Sequence, residues 1–242
     1  MSSFHTMKDE KVCVNLEVLA STMYNQPSFS PLTDFLLTKM VYHGDMVTLF
    51  CGKYKREPAV VEVCNRIPYR IVCREIRYLT ELAGIPGIPR ILGQTKNSSL
   101  GIASIAYEWF DFMPYSVSLS LEQILPIFKM LLSTLNKIHH KSLSHRWISR
   151  QTVHILKDLS GFFLTSFHCA AKIGDPIPMT IMHPCMSPDP CFSDPRKDDI
   201  YSAAEWFLSF FDDKSQIPAS IAEIISKMKK AEIELEKVLE QL

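Results

Sequence analysis

The sequence lacks an excess of charge of either sign. Its 242 residues include 26 basic and 26 acidic side chains, which cancel. It also holds no basic tail and no block of lysine and arginine, features that are typical of proteins that bind nucleic acid. The charge balance therefore favours a protein or a small molecule as the binding partner, and we predict no nucleic-acid partner.

Long apolar runs are also missing. The first residues, Met1–Lys8, contain no apolar core of the kind found in secretory signal peptides. The longest stretch without a charged residue, Val18–Thr33, spans 16 residues, and Leu159–Ala171 and Pro176–Pro188 span 13 each. A membrane-spanning helix needs about 20. We therefore expect an intracellular protein, cytoplasmic or nuclear, with no membrane partner.

Paired cysteines are absent as well. The seven cysteines are an odd number scattered along the chain, and none forms a Cys-x-x-Cys pair. Such pairs begin many structural zinc sites. His183, Cys185 and Cys191 come nearest to a set of ligands, and we predict no metal site. Free thiols fit the reducing interior that the other absences favour.

What the sequence does contain is typical of a globular protein. Hydrophobic residues make up 47% and charged residues 21% of the chain. A chain of this length buries about 70–75% of the surface that its unfolded form exposes, so a substantial core is possible. The length fits one domain of two lobes or two small domains.

The first third of the chain predicts a small sheet and a helix. Strand-forming residues fill 36–42, 46–50 and 59–64, with polar turns at 43–45 and 53–58, so three antiparallel strands are expected. Residues 71–82 predict an amphipathic helix, because Val72, Ile76 and Leu79 lie on one stripe. Glycine and proline at 84–93 end it before two further strands, the second within 100–109.

Helical periodicity dominates the later part of the chain. Apolar residues at three- and four-residue steps predict a helix over 119–140, and another is predicted at 197–208. The last segment, 220–242, predicts a single helix. It begins with the capping-box pattern Ser220–Glu223 and carries apolar residues at seven-residue steps. That helix is either a coiled-coil surface for a protein partner or a helix packed on its own domain.

The loop after the 119–140 helix carries the most specific pattern in the chain. His145-Arg146-Trp147 is followed five residues later by Thr152, and two short predicted strands lead to Ser166-Phe167. This layout resembles the active centre of the protein kinases, in which His-Arg-Asp-x-x-x-x-Asn precedes Asp-Phe-Gly. The resemblance covers about residues 36–211.

The resemblance implies an α+β fold with two lobes. A small antiparallel β lobe is expected to precede a shortened, mainly helical large lobe. The implied divisions are an N-terminal extension at 1–34, the small lobe and hinge at 35–110, the large lobe at 111–212 and the C-terminal amphipathic helix at 213–242.

Compared with that family, the residues of phosphoryl transfer are replaced. Trp147 stands in the place of the catalytic Asp, Thr152 in that of the magnesium-binding Asn, and Ser166 in that of the Asp of Asp-Phe-Gly. Glu62 stands in the place of the third-strand Lys, and Glu75 matches the helix Glu that pairs with that Lys. Two such carboxylates, if they meet, repel each other by about 1–4 kcal/mol. An exposed strand position is the alternative for Glu62.

Two residues match nucleotide-binding places of the family. Gly44 is the one glycine at three Gly-rich-loop places, and Glu108 lies at the acidic place of the hinge. Backbone groups of a hinge can bind adenine whatever the side chains are. A plain hairpin turn is the alternative for Gly44.

Residues that serve packing in the family are retained. These are His145, Arg146 and Phe167, together with Asp199 at the start of the 197–208 helix. The resemblance implies that Asp199 is buried and caps the backbone around Arg146. An ordinary helix N-cap is the alternative for Asp199.

Loss of the chemical residues with retention of the packing residues predicts a pseudokinase. Such a domain is a regulatory or protein-binding module in signalling, needs no cofactor and is not an enzyme. One alternative is a diverged Ser/Thr kinase that uses ATP and magnesium. The sequence of the 119–140 helix and of the loop after it resembles that of the cell-division-control kinases. A second is an unrelated α+β interaction protein.

Overall fold

The computed structural model describes residues 34–44, 46–64, 67–97, 102–174 and 194–242. These residues form two compact units. The first comprises the described residues up to Val72 together with Ile91–Phe110, and the second comprises Cys73–Arg90 and the described residues from Asp111 to Leu242. Apart from Asp34, the predicted N-terminal extension lies outside the described residues, as do His183, Cys185 and Cys191.

The first unit contains a five-stranded antiparallel sheet, in the order β1-β2-β3-β5-β4. The meander predicted over the first three strands is confirmed, and so is the mixed α+β class. The strands are β1 (Phe35–His43), β2 (Val47–Tyr54), β3 (Glu57–Cys64), β4 (Ile91–Asn97) and β5 (Ile102–Glu108).

Alternate residues of this sheet form one hydrophobic cluster, which follows from the two-residue period of a strand. Phe50, Tyr54 and Leu92 pack against its edge. The buried members are Phe35, Leu37, Ala59, Val61, Val63 and Ala106.

The turn between β2 and β3 is shorter than predicted. The polar segment 53–58 was expected to be a turn, but the strands continue through Lys53 to Tyr54 and resume at Glu57. Tyr54 and Glu57 pair directly, so only Lys55 and Arg56 connect the strands. Polar side chains are compatible with these strand ends because they lie on the exposed surface.

The second unit is mainly helical, and α1 begins in the first unit and continues into it. No helix among the described residues is long and apolar enough to cross a membrane. The helices are α1 (Tyr69–Glu81), α2 (Leu121–His140), α3 (Arg196–Leu208), α4 (Ala219–Lys229) and α5 (Leu235–Gln241). Two short antiparallel pairs accompany them: β6 (Leu143–Ser144) with β9 (Ala171–Lys172), and β7 (Val153–Ile155) with β8 (Phe162–Leu164).

Helix α1 ends where glycine permits a left-handed backbone. The amide of Leu82 still donates to the carbonyl of Tyr78, and that of Ala83 donates to the carbonyl of Thr80. Gly84 then has φ +86°. This is the usual way in which glycine terminates a helix. Gly87, at φ +85°, completes the connection, and its carbonyl accepts from the amide of Leu164 at 2.7 Å.

Helix α2 provides the central packing surface of the second unit. Its buried side chains recur at three- and four-residue steps, as the sequence predicts, and α3 and α5 pack against it. Phe128 lies 4.6 Å from the ring of Phe207 and 6.4 Å from that of Trp206, between ring centroids. The side chain of Gln123 accepts from the amide of Ser120 at the start of the helix.

The prediction of a single C-terminal helix over 220–242 is wrong. Helix α4 begins at Ala219 directly after Pro218 and ends at Lys229, so the capping-box assignment at Ser220–Glu223 also fails. Ala231 has φ +54°, and α5 starts only at Leu235. The seven-residue repeat continues across this break because both short helices bury an apolar face. Buried members are Ile224, Ile225, Met228, Leu235 and Val238.

Candidate functional site

The loop that carries the kinase-like pattern starts immediately after α2. Ser142 has φ +56°, and its carbonyl accepts from the amide of Ile173 at 2.9 Å. Leu143 and Ser144 then pair with Lys172 and Ala171. This brief pairing fixes where the following residues, His145 and Arg146, enter the interior of the second unit.

Asp199, in the first turn of α3, holds this loop by its carboxylate. Its Oδ2 accepts from the amide of His145 at 2.9 Å and its Oδ1 from the amide of Arg146 at 2.6 Å. The Ser144 hydroxyl lies 2.9 Å from Oδ2, and His139 Nε2 donates to the same oxygen at 2.9 Å. Asp199 is fully buried. The carboxylate therefore fixes a loop whose Arg146 has a left-handed backbone at φ +64°.

The hydrogen bonds determine the charge of Asp199. Desolvation is the largest influence and by itself raises the pKa of the carboxyl. The hydrogen bond from His139, electrostatic interaction with the imidazoles of His139 and His145, and the Arg146 amide act in the opposite direction, and the pKa lies below its usual 3.8. Asp199 is therefore ionised at neutral pH, and a carboxylate that accepts several bonds stabilises the loop more than a neutral acceptor does.

Asp198, next to Asp199, binds the side chain of the same loop. Its Oδ2 lies 3.4 Å from Arg146 Nε, and both side chains are buried, with 0% and 4% exposure. Burying an isolated charge is costly, so paired burial of this kind fixes the position of both groups. Adjacent aspartates of α3 thus engage the backbone and the side chain of one loop.

His145 and Phe167 pack together in the interior. Their ring centroids are 4.4 Å apart at an interplanar angle of 78°. His145 Nε2 donates to the carbonyl of Thr165 at 2.9 Å, and its Nδ1 accepts from the amide of Trp147 at 3.2 Å. Burial lowers the pKa of His145. The neutral ring with its proton on Nε2 satisfies both bonds.

Trp147, which the resemblance matches to a catalytic Asp, is a packing residue. Its side chain is 3% exposed, and its ring meets that of His168 edge to face at 4.7 Å between centroids. An indole has no basic atom that could take a proton from a hydroxyl. At this position the molecule therefore has an aromatic contact and no general base.

Thr152 joins the two ends of the loop. Its hydroxyl donates to the carbonyl of Trp147 at 2.6 Å and accepts from the amide of Ser149 at 3.0 Å. The side chain is fully buried. Its oxygen is occupied by backbone groups of the loop, and a neutral hydroxyl is a poor ligand for magnesium.

Ser166 and Glu75 lie around the short 3-10 helix Phe167–Cys169. Ser166 precedes this helix with a left-handed backbone (φ +65°, ψ +53°) and is 1% exposed. Glu75 is fully buried, and its Oε1 accepts from the amide of Phe167 at 2.6 Å. Its Oε2 lies 3.9 Å from His168 Nδ1. The carboxylate of Glu75 is thus engaged within the second unit.

Glu62 belongs to the first unit, and the alternative of an exposed strand position is wrong. The side chain is fully buried in β3. Tyr107 Oη donates to Oε2 at 3.5 Å, and Cys64 Sγ lies 3.6 Å from Oε1. These neutral donors explain how a carboxyl group is accommodated at a position that strand alternation alone left open. The expected meeting of Glu62 with Glu75 stays a prediction.

The two nucleotide-binding candidates, Gly44 and Glu108, also lie in the first unit. The Gly44 amide donates to the carbonyl of Val47 at 3.0 Å, which makes a tight hairpin turn. A Cβ at Gly44 would lie 2.5 Å from Tyr42 Oη, so the tyrosine side chain already covers this glycine. Glu108 is the last residue of β5, opposite Ala59. Neither the turn at Gly44 nor the strand pairing of Glu108 requires a bound nucleotide.

Sequence reasoning missed several residues that complete the loop. His139 and Ser144 bind Asp199, and Asp198 binds Arg146. Thr165 joins two histidines, because its carbonyl accepts from His145 and its hydroxyl lies 2.7 Å from Nε2 of His154. The pair of aspartates at the start of α3 was the one visible signal. The others are ordinary helix and strand residues whose neighbours only the fold reveals.

The carboxylates of the second unit's loop region offer no open metal site. Glu75, Asp198 and Asp199 are each fully buried and bonded to protein groups. Magnesium is usually held by carboxylates that also leave room for water and phosphate. Comparison with known proteins adds nothing further, since no family model and no curated protein matches the chain significantly.

Proposed function

We infer that this chain is a degenerate protein-kinase-like domain that has lost phosphoryl transfer and acts by binding another protein. In this proposal the first unit corresponds to the small lobe and the second to a shortened large lobe. Its setting would be intracellular signalling. The proposal rests on the loop geometry, because the motif alone is short.

One observation carries the proposal: the loop is fixed as a kinase loop would be, while its chemical positions are packed away. Asp199 caps the amides of His145 and Arg146. Trp147, Thr152 and Ser166, at the three chemical positions, are 3%, 0% and 1% exposed. A chance hairpin would not be expected to keep the supporting carboxylate and bury each of the three replacements.

The chemistry of these residues argues against catalysis. A general base must accept a proton from the substrate, which tryptophan does not do. Hydroxyls that are buried and bonded within the loop do not supply the negative charge that magnesium and phosphate require. Together such losses remove several kcal/mol of transition-state stabilisation. A domain of this kind acts by binding other molecules at its surface.

A phosphorylation assay tests the proposal. The protein is incubated with ATP, Mg²⁺ and casein as a general acceptor, and phosphoserine and phosphothreonine are counted by mass spectrometry. We expect no phosphorylation above a sample without ATP. The matched control is Ser166→Ala, which removes the hydroxyl at the metal-binding place. A signal from the wild-type protein that Ser166→Ala abolishes would overturn the proposal in favour of a diverged kinase.

A further inference from the structure

The turn between β2 and β3 has an unusual composition for its geometry. Lys55 and Arg56 both have left-handed backbones, with φ +48° and +73°. Two-residue hairpin turns with both central residues left-handed strongly favour Asn-Gly, because a Cβ is disfavoured there. A long cationic side chain at each position therefore carries backbone strain that Asn-Gly would relieve. Strain of this kind is concentrated at functional positions.

The strained turn is held in place by the core beneath it. The ring of Tyr54 meets that of Phe35 at 5.0 Å between centroids, with an interplanar angle of 64°. The same ring covers Gly93, where an added Cβ would lie 2.2 Å from Tyr54 Cζ. The Lys55 amide donates to the carbonyl of Asp34 at 2.8 Å. The tip therefore presents its two cations from a fixed backbone, which reduces the entropy lost on binding.

The charges at this tip are exposed, and the Lys55 ammonium lies 5.2 Å from the centroid of the Tyr54 ring. Lys53, Lys55 and Arg56 are exposed, and none of them forms an ion pair with another described residue. Glu57 is the one acidic residue of the segment 53–57, which leaves a net charge of +2. Leu36 lies opposite Lys53 in the β1–β2 register and is 43% exposed. An apolar side chain thus lies beside Lys53, the first of the three cations.

We propose that Leu36, Lys53, Lys55 and Arg56, the hairpin-tip patch, bind an acidic segment of a partner protein. Carboxylates of the segment meet the three cations, and an apolar side chain of the segment covers Leu36. This inference rests on the proposed function as a protein-binding module and names the chemistry of its partner. A protein is favoured over nucleic acid because the patch includes exposed Leu36, which an apolar side chain of a peptide can cover.

Fluorescence anisotropy with a labelled peptide tests the proposal. The probe is an eight-residue peptide of glutamates around one central leucine, and its control has glutamine in place of each glutamate. We expect the full-length protein to bind the acidic peptide and not the control, with binding that weakens as NaCl is raised from about 50 to about 200 mM. The variant Leu36→Ser should weaken binding further at either salt concentration.

The double variant Lys55→Asn with Arg56→Gly separates binding from folding. We expect it to weaken peptide binding by about fivefold or more, since two exposed ion pairs are lost. It should also raise the melting temperature by about 2–4 °C, because Asn-Gly suits the turn. The matched control, Lys141→Asn with Lys237→Gln, removes two exposed cations elsewhere and should change neither quantity.

Several outcomes would overturn the proposal. They are absence of peptide binding, unchanged affinity in the double variant, equal weakening in the matched control, or tighter binding to duplex DNA or to vesicles containing phosphatidylserine. Failure here is distinct from failure of the proposed function, which the phosphorylation assay measures separately. A protein that transfers no phosphate and binds no acidic peptide would keep the first proposal and lose this one.

Discussion

At the scale of single residues, the buried carboxylate of Asp199 does most to hold the candidate site. It receives bonds from the amides of His145 and Arg146 and from His139 and Ser144. Its substitution leaves the buried amides of His145 and Arg146 without this acceptor, which is more costly than the loss of the bonds alone.

We expect Asp199→Ala to lower the free energy of unfolding by about 3–5 kcal/mol, as does the breaking of other buried charged networks. Urea denaturation followed by circular dichroism measures the change. Asp212→Ala, an exposed aspartate after the same helix, is the matched control and should change stability by about 0.5 kcal/mol or less. A loss below about 1 kcal/mol for Asp199→Ala would contradict the role given to this carboxylate.

His154 makes stability depend on pH. It lies between Thr165 and Tyr115, whose hydroxyls are 2.7 and 3.0 Å from its ring nitrogens. Burial lowers the pKa of His154 from 6.5 to about 3. Below pH 6.5 the unfolded chain therefore binds a proton that the folded chain does not, so acid favours unfolding. The stabilisation is complete above the unfolded pKa and declines as the pH falls toward the folded one.

We expect the free energy of unfolding to fall by about 1.4 kcal/mol for each pH unit below 6 because of His154, with His145 acting in the same direction. The pH dependence is measured by urea denaturation between about pH 7 and pH 4. His154→Gln keeps polar atoms without a titrating ring. The pH dependence of its free energy of unfolding should therefore be smaller by the amount that one bound proton contributes. An equal slope in both proteins would mean that another group governs the acid response.

At the scale of elements, the connection after α1 offers two glycines with almost equal backbones and different surroundings. Gly84 and Gly87 have φ +86° and +85°. A Cβ at Gly84 meets nothing within 4 Å, whereas one at Gly87 would lie 2.7 Å from Cζ of Phe162. Substitution of the first glycine therefore measures backbone strain alone, and substitution of the second measures backbone strain together with steric conflict with β8.

We expect Gly84→Ala to destabilise the protein by about 1–2 kcal/mol from the left-handed backbone. Gly87→Ala should cost about 1–3 kcal/mol more, because the ring of Phe162 must also move. The two variants are compared by urea denaturation, each serving as the control for the other. Equal losses would show that Phe162 accommodates the added methyl group without strain.

The elements themselves could largely be predicted from the sequence. Strand-forming residues between polar turns placed β1 to β3, and a three- and four-residue period placed α1 and α2 within a few residues of their bounds. The break between α4 and α5 could not be predicted, because Ala231 gives no local signal for a left-handed backbone. The apolar repeat on either side of the break is the same whether a helix packs on a partner or on α2.

The sequence predicted which residues make up the candidate site, but not the surroundings of their side chains. Spacing located Trp147, Thr152 and Ser166, but their burial depends on neighbours that are distant in the chain, such as His168 beside Trp147. Glu62 shows the same limit, since the sequence left an exposed strand position open as an alternative and the side chain is fully buried. Side-chain environment is a property of packing, and a single sequence does not contain it directly.

At the scale of the whole molecule, the central proposal is that the fold of this loop has been kept while phosphoryl-transfer chemistry has been lost. Magnesium-dependent nucleotide binding requires residues that hold the metal and the phosphates, and the packing of the loop alone does not provide it. It therefore tests the claim more directly than any stability measurement.

A thermal-shift titration with ATP, with and without Mg²⁺, is the measurement to make. A ligand at 100 times its dissociation constant stabilises a fold by about 2.7 kcal/mol, which is a shift of several degrees for a chain of this size. We predict no magnesium-dependent shift, because the positions that the kinase resemblance matches to metal ligands hold Thr152 and Ser166, both buried. A shift of several degrees that requires Mg²⁺ would contradict the account and identify the chain as a nucleotide-binding kinase relative.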